Sequence, residues 1–182
     1  MKTRNREDIF CATSSMKVLS LMVENPGREF LGSEIQKATK LSRAGVYVAL
    51  RDLIRHKLAV RTHKGKFLIY SIANSDPVVK QFKVLKNVNM LKSIVEKLTP
   101  VVLKIVLFGS ASRGEDGTES DIDLFILAKD KKSVEDILAT VKSKRNIQPV
   151  IKVPSEMADF KEKEKIFYAE VDRGSTLFEA AE

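Results

Sequence analysis

The run VVLKIVLF, Val101 to Phe108, limits the possible folds more than any other stretch of the chain. It is built of β-branched and large apolar residues and is broken only by Lys104. A strand with one wet face alternates apolar and polar residues, whereas a strand covered on both faces does not. The run therefore reads as a strand buried on both sides. Gly109-Ser110 stops it, the ASRG that follows fits the start of a short helix, and GEDGTES, Gly114 to Ser120, is loop-like. Asp121 to Leu127 reads as a second strand with Ile122, Leu124 and Ile126 on one face. Asp121 and Asp123 then share the opposite face at its entrance.

Two carboxylates side by side on a rigid strand repel each other, and a divalent cation such as Mg²⁺ or Mn²⁺ removes that cost. Gly109 lets backbone amides approach a phosphate, Ser110 adds a hydroxyl donor, and Arg113 adds positive charge nearby. Acids that hold metal, facing a phosphate cradle, are the parts needed for nucleotidyl transfer from a nucleoside triphosphate.

Gly109-Ser110, followed after ten residues by Asp121-x-Asp123, resembles the signature of the polymerase-β-type nucleotidyltransferases, and most of all their minimal domains. The resemblance runs from about Val101 to Leu177, and VDRGSTLFEA, Val171 to Ala180, is similar to the segment with which such domains often end. It implies that Gly109 and Ser110 hold the triphosphate of ATP or another NTP. It implies that Asp121 and Asp123 are catalytic and bind Mg²⁺, and that a third carboxylate on a neighbouring strand helps activate the acceptor hydroxyl. The next strand candidate, NIQPVIKVP from Asn146 to Pro154, contains no acid. Alternation puts Gln148, Val150 and Lys152 on one of its faces, and the nearest acid, Glu156, lies beyond Pro154.

The first part of the chain differs in charge. Residues 1 to 75 carry fourteen Lys and Arg against six Asp and Glu, while residues 76 to 182 carry eighteen of each, so the whole net charge of +8 lies in the first part. Such asymmetry points to a module that meets nucleic acid joined to a neutral one. Ile9 to Glu24 reads as a helix, Phe30-Leu31 as a short extended piece, and Ser33 as the cap of a second helix. Ser42 caps a third helix running to about Lys57. Ala59 to Thr62 and Phe67 to Ile72 form a β-hairpin with HKGK at its tip and Gly65 at the turn. That order is the order of a winged helix-turn-helix. On the third helix Val46, Leu50 and Leu53 share one arc, and Arg43, Tyr47, Arg51 and Arg55 share the next. With Lys64 and Lys66 on the hairpin, these residues form the positive footprint expected for duplex DNA.

Asn74-Ser75-Asp76-Pro77 marks a boundary, and a long helix follows with Phe82, Leu85, Val88, Leu91, Ile94, Val95 and Leu98 as its apolar stripe. It can pack on the next domain or pair with a second copy in a homodimer. The expected organisation is a winged helix-turn-helix over residues 1–75, a linker helix over 76–100 and a nucleotidyltransferase-like domain over 101–182. The class is mixed, α/β or α+β, with a small mixed sheet and flanking helices in the C-terminal domain. Ser133 to Val141 and Ser155 to Val171 are the expected flanking helices.

Cys11 is the only cysteine, which excludes an internal disulfide and a cysteine-based zinc cluster. No apolar run is long enough to span a bilayer, and the start of the chain lacks the apolar core of a signal peptide, so a soluble cytoplasmic protein is expected. Three functions fit. An enzyme would transfer a nucleoside monophosphate, such as AMP from ATP, to a hydroxyl of a protein, RNA or small molecule. A dimeric DNA-binding transcriptional regulator would sense nucleotide without catalysis. An antitoxin-like protein would modify or mask a toxin partner, as the resemblance to minimal nucleotidyltransferases suggests.

Overall fold

The computed structural model describes residues 11–143 and 145–181. The chain divides into two compact units, Met1–Lys83 and Val84–Glu182.

The first unit contains α1 (Ser14–Val23), β1 (Phe30–Leu31), α2 (Gly32–Thr39), α3 (Arg43–Arg55), β2 (Ala59–Lys64) and β3 (Phe67–Ile72). Thr13 caps α1, its hydroxyl accepting from the Met16 N–H at 3.2 Å. The expected start of this helix, Ile9 and Phe10, lies outside the described residues. Ser33 does not cap α2, because the helix already begins at Gly32. The Glu34 carboxylate instead accepts from the Leu31 N–H at 2.7 Å, and this bond holds its pKa below the usual carboxylate range. Ser42 caps α3 through the Gly45 N–H at 3.1 Å. Val18, Leu19, Met22, Ile35, Val46, Ala49, Leu50 and Leu53 pack into one apolar core. The sheet has the order β1-β3-β2, antiparallel throughout. Lys64 pairs with Phe67, so Gly65 and Lys66 form the turn, with Gly65 in the left-handed region at φ +58°. Three helices with a small antiparallel sheet in this order give the architecture of a winged helix.

The helix α4 (Pro77–Leu98) starts on Asp76, whose carboxylate accepts from the N–H groups of Val78 and Val79 at 2.8 and 3.1 Å. Its buried stripe includes Asn87, Leu91, Ile94 and Leu98, whereas Leu85 is 42% exposed. The apolar periodicity of the sequence predicts Leu85 on the buried face. Steps of four, three and four residues keep Asn87 in line with Leu98, while Leu85 stands about 200° round the helix from Asn87.

The second unit holds β4 (Val102–Phe108), α5 (Gly109–Arg113), β5 (Ile122–Ala128), α6 (Lys131–Ala139), β6 (Ile147–Lys152), α7 (Met157–Lys163), α8 (Lys165–Asp172) and β7 (Ser175–Glu179). Its mixed sheet has the order β6-β5-β4-β7, with β5 and β6 parallel and the other pairs antiparallel. On one face Ile105, Leu107, Ile122, Leu124 and Ile126 pack with Leu91, Ile94 and Leu98 of α4 and with α6. On the other, Val106, Phe108 and Phe125 pack with Phe160 of α7 and Val171 of α8. Phe125 and Phe160 stack with ring centres 5.5 Å apart. This two-sided cover is why β4 carries an apolar run instead of an alternating one.

The helix expected over Ser155 to Val171 is two helices, broken at Glu164, whose carboxylate pairs with Lys152 at 3.1 Å. The chain then turns at Gly174 and adds β7 beside β4. A Cβ at 174 would lie 2.5 Å from the Leu107 carbonyl oxygen, so this close approach requires glycine. Among the described residues no helix is long and apolar enough to cross a membrane.

Candidate functional site

The second unit brings Gly109, Ser110, Asp121 and Asp123 together at one end of its sheet. Phe108, the last residue of β4, is the register partner of Asp123 on β5, so the chain leaves β4 beside that carboxylate. Gly109 turns it with φ +68°, and a Cβ there would fall on Asp123 Oδ2. Ser110 begins the helical backbone of α5 at a partly exposed position. Ser112 Oγ donates to the Gly109 carbonyl at 2.8 Å and braces the turn. The glycine therefore does two things here: it accepts the left-handed backbone, and it leaves room for a carboxylate.

Asp123 lies on the Phe125 face of β5, opposite Ile122 and Leu124, as alternation requires. Burial, then the adjacent charge of Asp121, pushes its carboxyl pKa up, and the positive charges of Arg113 and Arg145 partly oppose this. Like-charge repulsion between the two aspartates is thus present in the folded chain. An oxygen-only donor pair whose negative charge Arg113 and Arg145 offset only in part fits a hard divalent cation. Among the described residues no group of three or more His, Cys, Asp or Glu is placed to hold a metal ion.

The face of β6 that borders the carboxylates resolves the three sequence candidates. Gln148 is the register partner of Asp123, and its Nε2 donates to Asp121 Oδ2 at 3.2 Å. Val150 packs among the aromatic side chains below. Lys152 is the register partner of Leu127, four residues farther along β5, so a strand rise of about 3.3 Å per residue carries it roughly 13 Å from the Asp123 position. It pairs with Glu164 and lies over the Phe160 ring at 5.0 Å. Gln148 thus occupies the position beside the aspartates. Glu156, the nearest acid in sequence, accepts from Lys131 Nζ at 2.6 Å and from the Val153 N–H at 3.0 Å, and so serves as a turn cap.

Arg113, expected to add positive charge beside the phosphate, forms ion pairs with Glu170 of α8 at 2.5 Å and with Glu115 at 3.1 Å. Three residues near the site were not singled out from the sequence: Asn87, Asp116 and Arg145. Arg145 pairs with Asp116 at 2.6 Å and donates to the carbonyls of Ser120 and Asp121. The only available signal was a polar residue, Asn87, in step with Leu91 and Leu98.

In the first unit the residues expected to face DNA lie along α3 and on the hairpin. Val46, Ala49, Leu50 and Leu53 are buried, while Arg43, Tyr47, Arg51 and Arg55 are exposed, Tyr47 by 65%. Arg51 and Arg55 lie 3.8 and 3.7 Å from Asp52. Lys64 pairs with Glu29 at 2.6 Å, and Lys66 lies 5.8 Å from the centre of the Phe67 ring. Exposed pairs like these are weak and salt-screened, so they do not remove the cations from competition for phosphate.

The family model for polymerase beta nucleotidyltransferases matches residues 89–182. The chain belongs to this family, and the mixed sheet with its flanking helices is its nucleotidyltransferase fold. Among solved structures, a candidate nucleotidyltransferase of Sulfolobus solfataricus is 18% identical with a TM-score of 0.34, covering 44% of this chain and 78% of its own. TrmBL2, an archaeal chromatin protein with a novel mode of DNA binding, is 17% identical with a TM-score of 0.31, covering 86% of this chain and 68% of its own. Comparison with curated proteins found no match.

Proposed function

We propose that this protein binds duplex DNA through its first unit and a nucleoside triphosphate with Mg²⁺ or Mn²⁺ through its second. The observation that carries the nucleotide reading is the contact of Gly109 with Asp123. A turn in left-handed backbone, where any side chain would press on Asp123, sets a phosphate-approachable backbone against a carboxylate of raised pKa. Asp121 and Asp123 would hold the cation, which supplies neutralising charge to the triphosphate when bound. The Ser110 hydroxyl and the amides of the turn donate to phosphate oxygens. Arg113 is close enough in the chain to contribute once its acidic partners yield.

In a transferring enzyme, an acceptor hydroxyl would attack the α-phosphorus, its oxygen forming the new P–O bond as the α–β bridging bond breaks and pyrophosphate leaves. The hydroxyl proton needs an acceptor. Gln148 stands beside the aspartates and is no base, which favours a second reading: the domain binds nucleotide and transfers it slowly or not at all, acting as a sensor attached to a DNA-binding module. Titration of the protein with ATP and Mg²⁺, followed by incubation with labelled ATP and cell extract, tests both readings. Absence of ATP binding overturns both. Gln148→Asp adds the missing carboxylate, and general-base help worth roughly 10²- to 10⁴-fold makes a rescued transfer visible as label in an acceptor. Fast transfer by the wild type would reject the sensor reading.

A further inference from the structure

A buried polar network lies beside the candidate site and touches both of its halves. Asn87 comes from α4, Asp116 from the loop after α5, and Arg145 from the connection before β6. Asp116 is 3% exposed and Asn87 7%. Arg145 Nη1 donates to Asp116 Oδ2 at 2.6 Å and to Asn87 Oδ1 at 3.4 Å. Its Nε and Nη2 donate to the Ser120 carbonyl at 2.9 and 2.7 Å, and Nη2 also reaches the Asp121 carbonyl at 3.2 Å. The Asn87 amide donates to Asp116 Oδ1 at 3.2 Å and to the Ala111 carbonyl at 3.1 Å.

Stability alone does not account for this network. Burying an ion pair costs desolvation, and well-packed apolar residues often do as well or better. The geometry accounts for it differently. The planar fork of Arg145 grips two consecutive carbonyls, those of Ser120 and Asp121, which flank the Asp121 α-carbon. Asn87 grips Ala111, within the helix that follows Gly109. The Asp116 carboxylate joins the two grips. Lysine cannot replace this arrangement, because an ammonium is a point charge without a fixed fork.

We infer that Arg145, held by Asp116 and Asn87, is a positioning residue that fixes the backbone of Asp121 so that Asp121 and Asp123 meet one cation. The inference rests on the metal and nucleotide reading above. It separates two quantities that a merely structural role would change together. Loss of the Arg145 grip loosens the carboxylate pair, while Asn87 keeps its own bond to Ala111 and so leaves the Gly109-Ser110 contacts with phosphate in place. The benefit of the cation therefore falls, while metal-free affinity does not.

The test is ATP binding by calorimetry on the full-length chain, in Mg²⁺ and in EDTA, for the wild type and Arg145→Lys. The ratio of the two Kd values reads the contribution of the cation. Partners that orient metal ligands typically change metal affinity by about 10- to 100-fold, and a fall of that order in the ratio is expected, with Kd in EDTA unchanged. A wild-type ratio in Arg145→Lys overturns the inference, as does an equal loss in both buffers. If Arg145→Lys does not fold, Asp116→Asn keeps the shape and removes the charge that anchors Arg145, and its ratio must fall selectively too; an unchanged ratio, an equal loss in both buffers or failure to fold would overturn the inference. A wild type that binds ATP equally well with and without Mg²⁺ overturns the metal reading itself and this inference with it. That outcome is distinguishable because it appears before any substitution.

Discussion

Gly109 lies against the carboxylate of Asp123 with its backbone at φ +68°, and a Cβ there would overlap Asp123 Oδ2. Gly109→Ala must therefore strain the turn and displace the aspartate. A left-handed non-glycine residue costs roughly 1–3 kcal/mol before any overlap is counted. The variant is expected to melt at a lower temperature and to lose Mg²⁺-dependent ATP binding. Thermal denaturation and calorimetry check the two effects, and wild-type affinity would show that the close approach has no role in binding.

The raised pKa of Asp123 gives a stability effect with a definite sign. The folded state holds this proton more tightly than the unfolded chain does, so the group favours folding most at low pH and loses that contribution as pH rises through its folded pKa. Asp123→Asn is expected to raise the melting temperature at pH 7 in EDTA. The gain should shrink as pH falls through the raised folded pKa and stop changing below about 4, where the unfolded aspartate is protonated as well. Mg²⁺ should stabilise the wild type and leave this variant unmoved, as it should the double variant Asp121→Ala with Asp123→Ala. A melting curve for Asp123→Asn that never rises above the wild type in EDTA counts against the repulsion argument.

Arg113 is shared between Glu170 and Glu115, so a triphosphate must compete with two carboxylates for it. Exposed pairs of this kind are worth about 0.2–1 kcal/mol, which sets the scale of the competition at up to roughly fivefold in affinity. Glu170→Gln should tighten ATP binding by an amount within that range, and Arg113→Ala should weaken it. If Glu170→Gln weakens binding instead, Glu170 contributes to the site directly and the competition model fails.

Two caps in the second unit carry carboxyls that acid would disturb. Asp130 accepts from the backbone and hydroxyl of Ser133, and Glu156 accepts from Lys131 and the Val153 amide, which holds both carboxyls below the usual range. A depressed folded pKa gives stability that is present above the unfolded value and lost as pH falls through the folded one. Asp130→Asn with Glu156→Gln should flatten the fall in melting temperature between about pH 5 and pH 2. A fall as steep as that of the wild type would assign acid sensitivity to other groups.

The charge of the first unit makes the DNA reading quantitative. Each lost phosphate contact should reduce the slope of log affinity against log salt by about one. Arg51→Ala with Arg55→Ala, both exposed on α3, should lower duplex affinity and reduce that slope by roughly two, with the fold intact by circular dichroism. Unchanged binding would remove α3 from the interface.

The apolar run of Val101 to Phe108 and the alternation from Ile122 onward were enough to define the two central strands and to put Asp123 on the Phe125 face, while Asp121 lies just before β5 and not on it. Those features depend on local periodicity, which a linear sequence carries in full. The helix caps were less secure: Ser42 caps α3, but Ser33 gave way to Glu34, since several neighbouring side chains can reach the same free N–H groups. Other features were decided by tertiary contact. Strand register put Gln148 beside Asp123 and sent Lys152 to Glu164. Packing rotated the buried stripe of α4 onto Asn87 and left Leu85 exposed. The chain brought Asn87, Asp116 and Arg145 together across separations of 29 and 58 positions. Sequence periodicity determines which side chains share a face of one element; it carries no information on which face of another element they will meet, because that depends on how the elements pair and pack.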